Sequence, residues 1–382
     1  MIITKESAPH LRRKPTVKRM MIDVLLALAP TLIFAIIVFP LHTSVTLLVS
    51  LFIMIGAELV YIGLRNMMPK DGLKHSFKEK FIYAYKGKVD INNILTPAIS
   101  AVIFTLIMPA GALVNKESGL FNVYPVIIGS LVGIVFGKLV FGGLGSNIFN
   151  PAVVGMVFAK LCFGSQYSSY VDNWFYKPID AVAAPTPLGL INGGAFANIN
   201  EYSLTQLLFG QIQGTLGEVY KITIIVGLAY LLIRRSIDWR IPVSYLGTFS
   251  LLMLIAGLSV NALNNAVNPF MFMLYNLLSG GVLFGAVFML TDPVTSPINR
   301  PSRMMYGIIA AVFTVFIRLF AALPEGVAFS ILIVNMVAPF LDHYEWSSSK
   351  YTIKKIIAIS LLVIIPAIFT FVIVRFGGVY HA

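Results

Sequence analysis

The sequence predicts an all-α fold, a polytopic membrane helical bundle of 10–11 transmembrane helices. Three observations carry that expectation. Charged residues make up 12% of the 382 and hydrophobic ones 58%, where soluble domains average about 25% charged. Apolar runs recur at a length of about 20 residues, which crosses a bilayer as a helix and exceeds what a membrane strand needs. Lysines and arginines cluster in alternate loops, so the net charge of +12 is read as cytoplasmic membrane loops and no nucleic-acid partner is expected. Membrane lipid is the expected surroundings. The single cysteine, Cys162, excludes an internal disulfide and any multi-cysteine metal or iron–sulfur centre. It reads as a small apolar core residue.

In order along the chain, residues 1–19 form a basic cytoplasmic leader without a convincing cleavage site. Apolar spans follow near 20–40, 44–64, 93–113, 122–142 and 149–164, a first helical half over 20–164. Residues 165–220 are the longest non-helical stretch. Within it, 203–213 reads as a short amphipathic helix capped by Ser203. The second half, 221–341, carries spans near 221–233, 241–260, 270–290, 304–322 and 325–341. Residues 342–382 are a C-terminal extension with an eleventh span near 355–374. The short spans 149–164 and 221–233 read as tilted or broken. An inverted repeat of helices is left open, since such repeats leave little trace in sequence.

Orientation follows from the cations. The leader carries Lys5, Arg12, Arg13, Lys14, Lys18 and Arg19, and the loop 65–92 carries seven Lys and Arg. Loop 165–220 has only Lys177. The positive-inside rule therefore puts the N-terminus in the cytoplasm and loop 165–220 outside, in a multi-pass protein of the cell's inner or plasma membrane.

Four constellations offer chemistry. The stretch Gly142-Gly143-Leu144-Gly145-Ser146-Asn147-Ile148-Phe149-Asn150-Pro151 joins the fourth and fifth spans. Asn150 suits a helix N-cap and Pro151 the first turn. The stretch is either a tight turn or the end of a broken helix facing a ligand, with Asn147 and Asn150 as contacts. Thr291-Asp292-Pro293-Val294-Thr295 follows the eighth span; it is a rigid turn or an ion or flavin contact through Asp292 and Thr295. Acids near spans are few: Asp23, Glu58, Asp292, Glu325 and Asp342. A carboxylate in hydrocarbon is costly unless paired or watered, so Glu58, Asp292 and Asp342 are candidates for an ion path. The competing reading of Glu58 is a structural pair with Lys138, Lys160 or Arg318. Finally, Thr186 stands between Pro185 and Pro187, which favour an extended, presented hydroxyl. No histidine spacing or nucleophile motif points to a metal or a hydrolase site, so no metal and no catalytic side chain are assigned.

Several of these segments together resemble the D subunit of Rnf ion-translocating oxidoreductase complexes and, more distantly, the B subunit of the sodium-pumping NADH:quinone oxidoreductase. They are Ser7 to His10, Gly142 to Gly145 with Asn147 and Phe149 to Ala152, Asp180 to Leu188, Thr291 to Thr295, Pro324 to Phe329 and Pro339 to Asp342. The resemblance implies FMN joined by a phosphoester to Thr186, in a segment where Asp180, Thr186 and Leu188 match the family pattern and Ala183, Ala184 and Pro185 differ from it. It also implies a flavin transferase for maturation, other subunits of a multi-subunit membrane redox complex as partners, and a noncovalent riboflavin in some relatives. The implied function is a membrane flavoprotein subunit of a redox-driven ion pump passing electrons between ferredoxin and NAD, catalytic only as part of the whole translocase. A flavin suits that role because it exchanges one or two electrons, while the protein positions and tunes it. The alternative is a solute channel or secondary transporter of similar architecture, which would bind no chromophore. A purely structural subunit would tolerate loss of Thr186.

Overall fold

The computed structural model describes residues 16–67, 82–113, 122–164, 203–210, 212, 214–264, 268–321, 326–343 and 350–376. All eleven expected spans fall on helix there. The first half contains α1 (Val17–Val38), α2 (Pro40–Asn66), α3 (Asn92–Ile107), α4 (Tyr124–Gly137) and α5 (Pro151–Cys162). The short helix α6 (Leu204–Phe209) leads to the second half. That half contains α7 (Lys221–Arg234), α8 (Arg240–Asn264), α9 (Pro269–Leu278), α10 (Val282–Phe284), α11 (Arg300–Phe320) and α12 (Val327–Leu341). The last helix is α13 (Ile353–Phe376).

Among the described residues six helices are long and apolar enough to cross a membrane, and Pro269–Leu278 with Val282–Met289, bent by 64° at the break between them, adds a seventh when the pair is counted as one broken span. The helices α3, α5 and α12 are apolar but shorter. Among the described residues no strand forms, and the helices bond their own backbone polar groups, as hydrocarbon demands. The bundle is an all-α polytopic membrane fold.

The two halves pack alike. In the first, α2 lies against α3 and α4, α4 against α5, and α1 against α3. In the second, α8 lies against α9 and α11, α11 against α12, and α7 against α10. The halves meet where α1 packs on α7 and α5 on α12. The same packing order in the two halves is the pattern of a structural repeat.

Local sequence accounts for the tightest contact. Gly129, Gly133 and Gly137 line one face of α4. A side chain at Gly133 would meet Pro151 O at 2.5 Å, and one at Gly137 would meet Pro151 Cα at 2.7 Å. Small residues four apart let helices approach closely where lipid gives no hydrophobic drive. Asn150 caps α5 as expected, accepting from Ala152 N at 3.1 Å. Ser203 caps α6 in a reciprocal pair with Gln206, and the helix ends at Gly210, earlier than the sequence suggests. Cys162 departs from its expected place: it is exposed at the end of α5 rather than in the core. The final helix α13 packs on α8 and α11 and leaves most of its surface outward.

Candidate functional site

Two loops that are remote in sequence form one cleft. Pocket walls come from Leu144, Asn147, Asn150 and Pro151 on one side and from Thr291, Asp292, Pro293 and Val294 on the other. Between them stand Ile99 and Ile103 of α3, Leu231 of α7, and Val287 and Phe288. The last two belong to the π-helical turn Gly285–Met289, which continues α10. Such turns often mark functional sites because they re-aim side chains. Asn150 bridges the loops, donating Nδ2 to Met289 O at 3.5 Å. Asn147 is nearly buried and donates to Phe149 O at 3.4 Å.

The Gly-rich loop is shaped by backbone sign. Gly142 and Gly143 have φ of 116° and 89°, a region costly for residues with Cβ. They turn the chain after the 3-10 segment Leu139–Phe141 so that Asn147 and Asn150 face the cleft.

Lys138 lies at the back of the cleft. Its ammonium is 2.9 Å from Glu58 Oε2 and donates to Thr96 Oγ1 at 2.8 Å. Both ionic side chains are 3% exposed. Of the three cations that the sequence offered Glu58, the structure selects Lys138. The contact is a close, buried charge pair. Glu58 in turn lines a second, more polar recess with Arg65, Asn66, Lys88 and Asn93. Leu144 borders both recesses, so the Glu58–Lys138 pair stands at their divide.

Asp292 is half-buried in the loop beyond the bent span. Burial pushes its carboxyl upward, against the Val294 N–H, the Thr295 hydroxyl and the Lys138 charge, which favour ionisation. Its carboxylate oxygen accepts from Val294 N at 3.1 Å. Thr295 is buried beside it. The structure thus brings Asn147, Asn150, Asp292, Thr295, Lys138 and Glu58 into one neighbourhood.

Asp342 is placed elsewhere. It accepts from Ile298 N at 2.7 Å, Asn299 N at 3.3 Å and Asn299 Nδ2 at 3.1 Å. These bonds tie the end of α12 to the start of α11. Asp23 is likewise engaged, with Arg234 at 3.0 Å and Ser236 Oγ at 2.7 Å, which locks α1 to the end of α7. Asp180, Thr186 and Leu188, and also Glu325, lie outside the described residues.

Sequence reading missed the partner of the bent span's break. Lys221, at the start of α7, is 1% exposed and reaches that break. An ionisable residue opening a short apolar span was the available signal.

Comparison with known proteins adds the following. The model of the NQR2, RnfD, RnfE family matches residues 4–351, which leaves α13 beyond the match. The D subunit of the proton-translocating ferredoxin:NAD(+) oxidoreductase complex from Clostridium ljungdahlii is 28% identical over 349 residues, 90% of this chain and 94% of that protein. The D subunit of the Na(+)-translocating ferredoxin:NAD(+) oxidoreductase complex from Acetobacterium woodii is 27% identical over 90% of this chain and 93% of its own length. The B subunit of the Na(+)-translocating NADH-quinone reductase from Pseudomonas aeruginosa is 33% identical over 251 residues, 64% of this chain and 58% of that protein.

Proposed function

The chain belongs to the NQR2, RnfD, RnfE family, and from that membership we propose that it is the membrane flavoprotein subunit of a redox-driven ion pump passing electrons between ferredoxin and NAD. The observation that carries this reading is the end-to-end similarity, 90% of this chain, to the D subunits of two ferredoxin:NAD(+) oxidoreductase complexes. Its partners are the other subunits of such a complex, and catalysis belongs to the assembly.

In this reading the chain holds flavin at two positions. FMN is joined through its phosphate to Thr186, in loop 165–220 outside the membrane, by a separate flavin transferase. A noncovalent riboflavin would place only its ring edge at the cleft, whose internal space of about 70 Å³ is below that of a pocket for the whole ring. The cleft residues suit a flat, amphipathic ring: Ile99, Ile103, Leu144 and Phe288 are apolar walls, and Asn147, Thr96 and Asp292 are polar contacts at its edge. Bound flavin supplies one- and two-electron exchange. The chain's own part would be to present the polar groups of the two loops, with Lys138 behind them, to the ring edge. Lys138 and Asp292 set the local charge there.

The ion part rests on the Glu58–Lys138 pair at the divide between the recesses, with Asp292 across the cleft. Carboxylates of this kind provide oxygen ligands or proton sites through a low-dielectric bundle. Asp342, committed to backbone N–H groups, contributes by holding α11 in place.

Purification of the complex tests the reading. The expected result is a yellow complex that moves Na+ or H+ into liposomes during electron transfer from reduced ferredoxin to NAD. A colourless chain whose liposomes pass a solute without any redox donor would favour the channel or transporter reading instead.

A further inference from the structure

The bent span is broken at Ser279-Gly280-Gly281, between α9 and α10. A break within a bundle leaves carbonyls at the end of one half-helix and N–H groups at the start of the next without helical partners. In membrane transporters such half-helix ends are where ions are coordinated. Here the carbonyl end is occupied by side-chain cations. Lys221 Nζ donates to Gly280 O at 2.9 Å and also to Glu218 O. Arg318 of α11 donates to Asn276 O at 2.6 Å and Ser279 O at 3.4 Å, with its guanidinium 5.3 Å from the Phe249 ring centre. Lys221 and Arg318 are 1% and 0% exposed.

The opposite end of the break meets an acid. Gly281 N-caps α10, and a side chain at that position would collide with the Glu218 carboxylate. An anion near a helix N-terminus and cations near a C-terminus each complement the helix dipole. The Lys221 ammonium therefore lies among the oxygens of Gly280 and Glu218, with a carboxylate next to it. Those are the ligands an alkali cation takes. The ammonium carries the same single charge and makes the same demand for oxygen.

Position along the helix ties this cluster to the cleft. From Gly280 the chain runs through α10 and the π turn to Phe288 on the cleft wall. At the helical rise that is about 12 Å. One broken span thus carries the cleft at its C-terminal end and an oxygen-lined cage at its central break.

We propose that the break at 279–281 is a monovalent-cation site on the ion path and that Lys221 is its tethered plug. The ammonium fills the cage at rest and blocks passive leak; its withdrawal lets one transported cation take its place. The charge inside the cage is the same before and after the exchange, and the withdrawn ammonium, still tethered and positive, keeps the Glu218 carboxylate as its counter-charge. The proposal rests on the reading that this chain carries an ion path.

The test uses the intact complex in liposomes containing a Na+- or H+-sensitive dye, first without any electron donor. Lys221→Met keeps the stem and removes the charge. It should raise passive cation entry at least about fivefold and lower ions moved per electron, with flavin content unchanged. Lys221→Arg should stay near the wild-type leak. Gly281→Ala, which crowds the Glu218 carboxylate without removing a cation, is a second opening variant. Assembled Lys221→Met and Gly281→Ala complexes that leak no more than wild type would overturn the proposal. So would failure of all three variants to assemble, which would mark Lys221 as a structural cap for the broken helix. Absence of redox-driven ion uptake by the wild-type complex would instead strike at the ion-pump reading itself.

Discussion

In each half of the bundle a buried cation stands near the end of the helix that packs on α2 or α8, and the two are solvated differently. Lys138, at the end of α4, touches Thr96 of α3 and the Glu58 carboxylate of α2. Arg318, in the last turn of α11, donates to carbonyls at the end of α9 and lies near Phe249 of α8. By the packing order the helices correspond: α2 to α8, α3 to α9 and α4 to α11. The same scaffold therefore ties one cation to a titratable side chain at a cleft and the other to backbone at a helix break. Repeat architecture fixes where buried charge can sit, and the individual side chains decide whether it titrates, binds or seals.

The comparison breaks most sharply at Lys138. Lys138→Met strands Glu58 in a dry interior, and losing one partner of a buried pair costs about 3–5 kcal/mol. Thermal unfolding of the complex in detergent should register that loss, and Glu58→Gln together with Lys138→Met should recover most of it. If the double variant is no more stable than Lys138→Met, the pair is not what holds α2 to α4.

Packing of α4 on α5 gives the next effect. Gly133→Val forces a branched side chain into Pro151 O, for about 1–3 kcal/mol of overpacking loss. Gly56→Val, where no atom lies within 4 Å of the new Cβ, is the matched control and should be close to neutral. Equal losses at both positions would refute the close-approach account.

Asn150→Ala removes the N-cap of α5 and the bridge to Met289, at about 1 kcal/mol for the cap. Because the bridge closes the cleft, noncovalent flavin released on denaturation should fall more than stability does. Unchanged flavin content would move the riboflavin proposal away from this cleft.

The smallest effects concern pH. A raised folded-state pKa means that the folded protein holds the Asp292 proton more tightly than the unfolded chain. Stability from this group is then greatest at low pH and declines as pH rises from the unfolded value of about 3.9 through the folded value. Asp292→Asn should remove that decline and leave the protein equally or more stable at neutral pH. Asp238 has the opposite sign. Burial works to raise its carboxyl, but bonds from the Arg240 backbone and from Arg303, together with their charges, hold it below the usual range. Its contribution is present above about pH 3.9 and is lost as pH falls through its lowered value. For a half-screened pair that contribution is about 1 kcal/mol at most. Unfolding midpoints measured across pH in Asp238→Asn and wild type would separate the two signs.

Much of this arrangement is legible in the sequence. Runs of about 20 apolar residues locate the helices, because a helix of that length satisfies its own backbone across hydrocarbon and a membrane strand would be shorter. Asn150-Pro151 and Ser203 announce helix starts by local chemistry, and the structure has both caps. What is hidden depends on pairing at a distance. Glu58 and Lys138 are both visible as rare buried charges, yet only the packing of α2 on α4 decides between Lys138 and its rivals. The cleft joins residues near 147–151 to residues near 291–294, and neither loop alone reports the other. The break at 279–281 reads in sequence as one more apolar span, since its consequence lies in the cations that reach it from α7 and α11. Cys162 reads as core and is exposed, because a helix end can face outward while its composition still looks like interior.

The central claim is that this chain carries flavin as an electron station, and the most direct measurement is the mass of the proteolytic peptide containing Thr186. The complex should be purified from cells that hold a flavin transferase and assayed first for ferredoxin-dependent NAD reduction. The account predicts an FMN-sized addition on Thr186, lost in Thr186→Ala along with most of the activity. An unmodified Thr186 peptide from a fully active complex would contradict it.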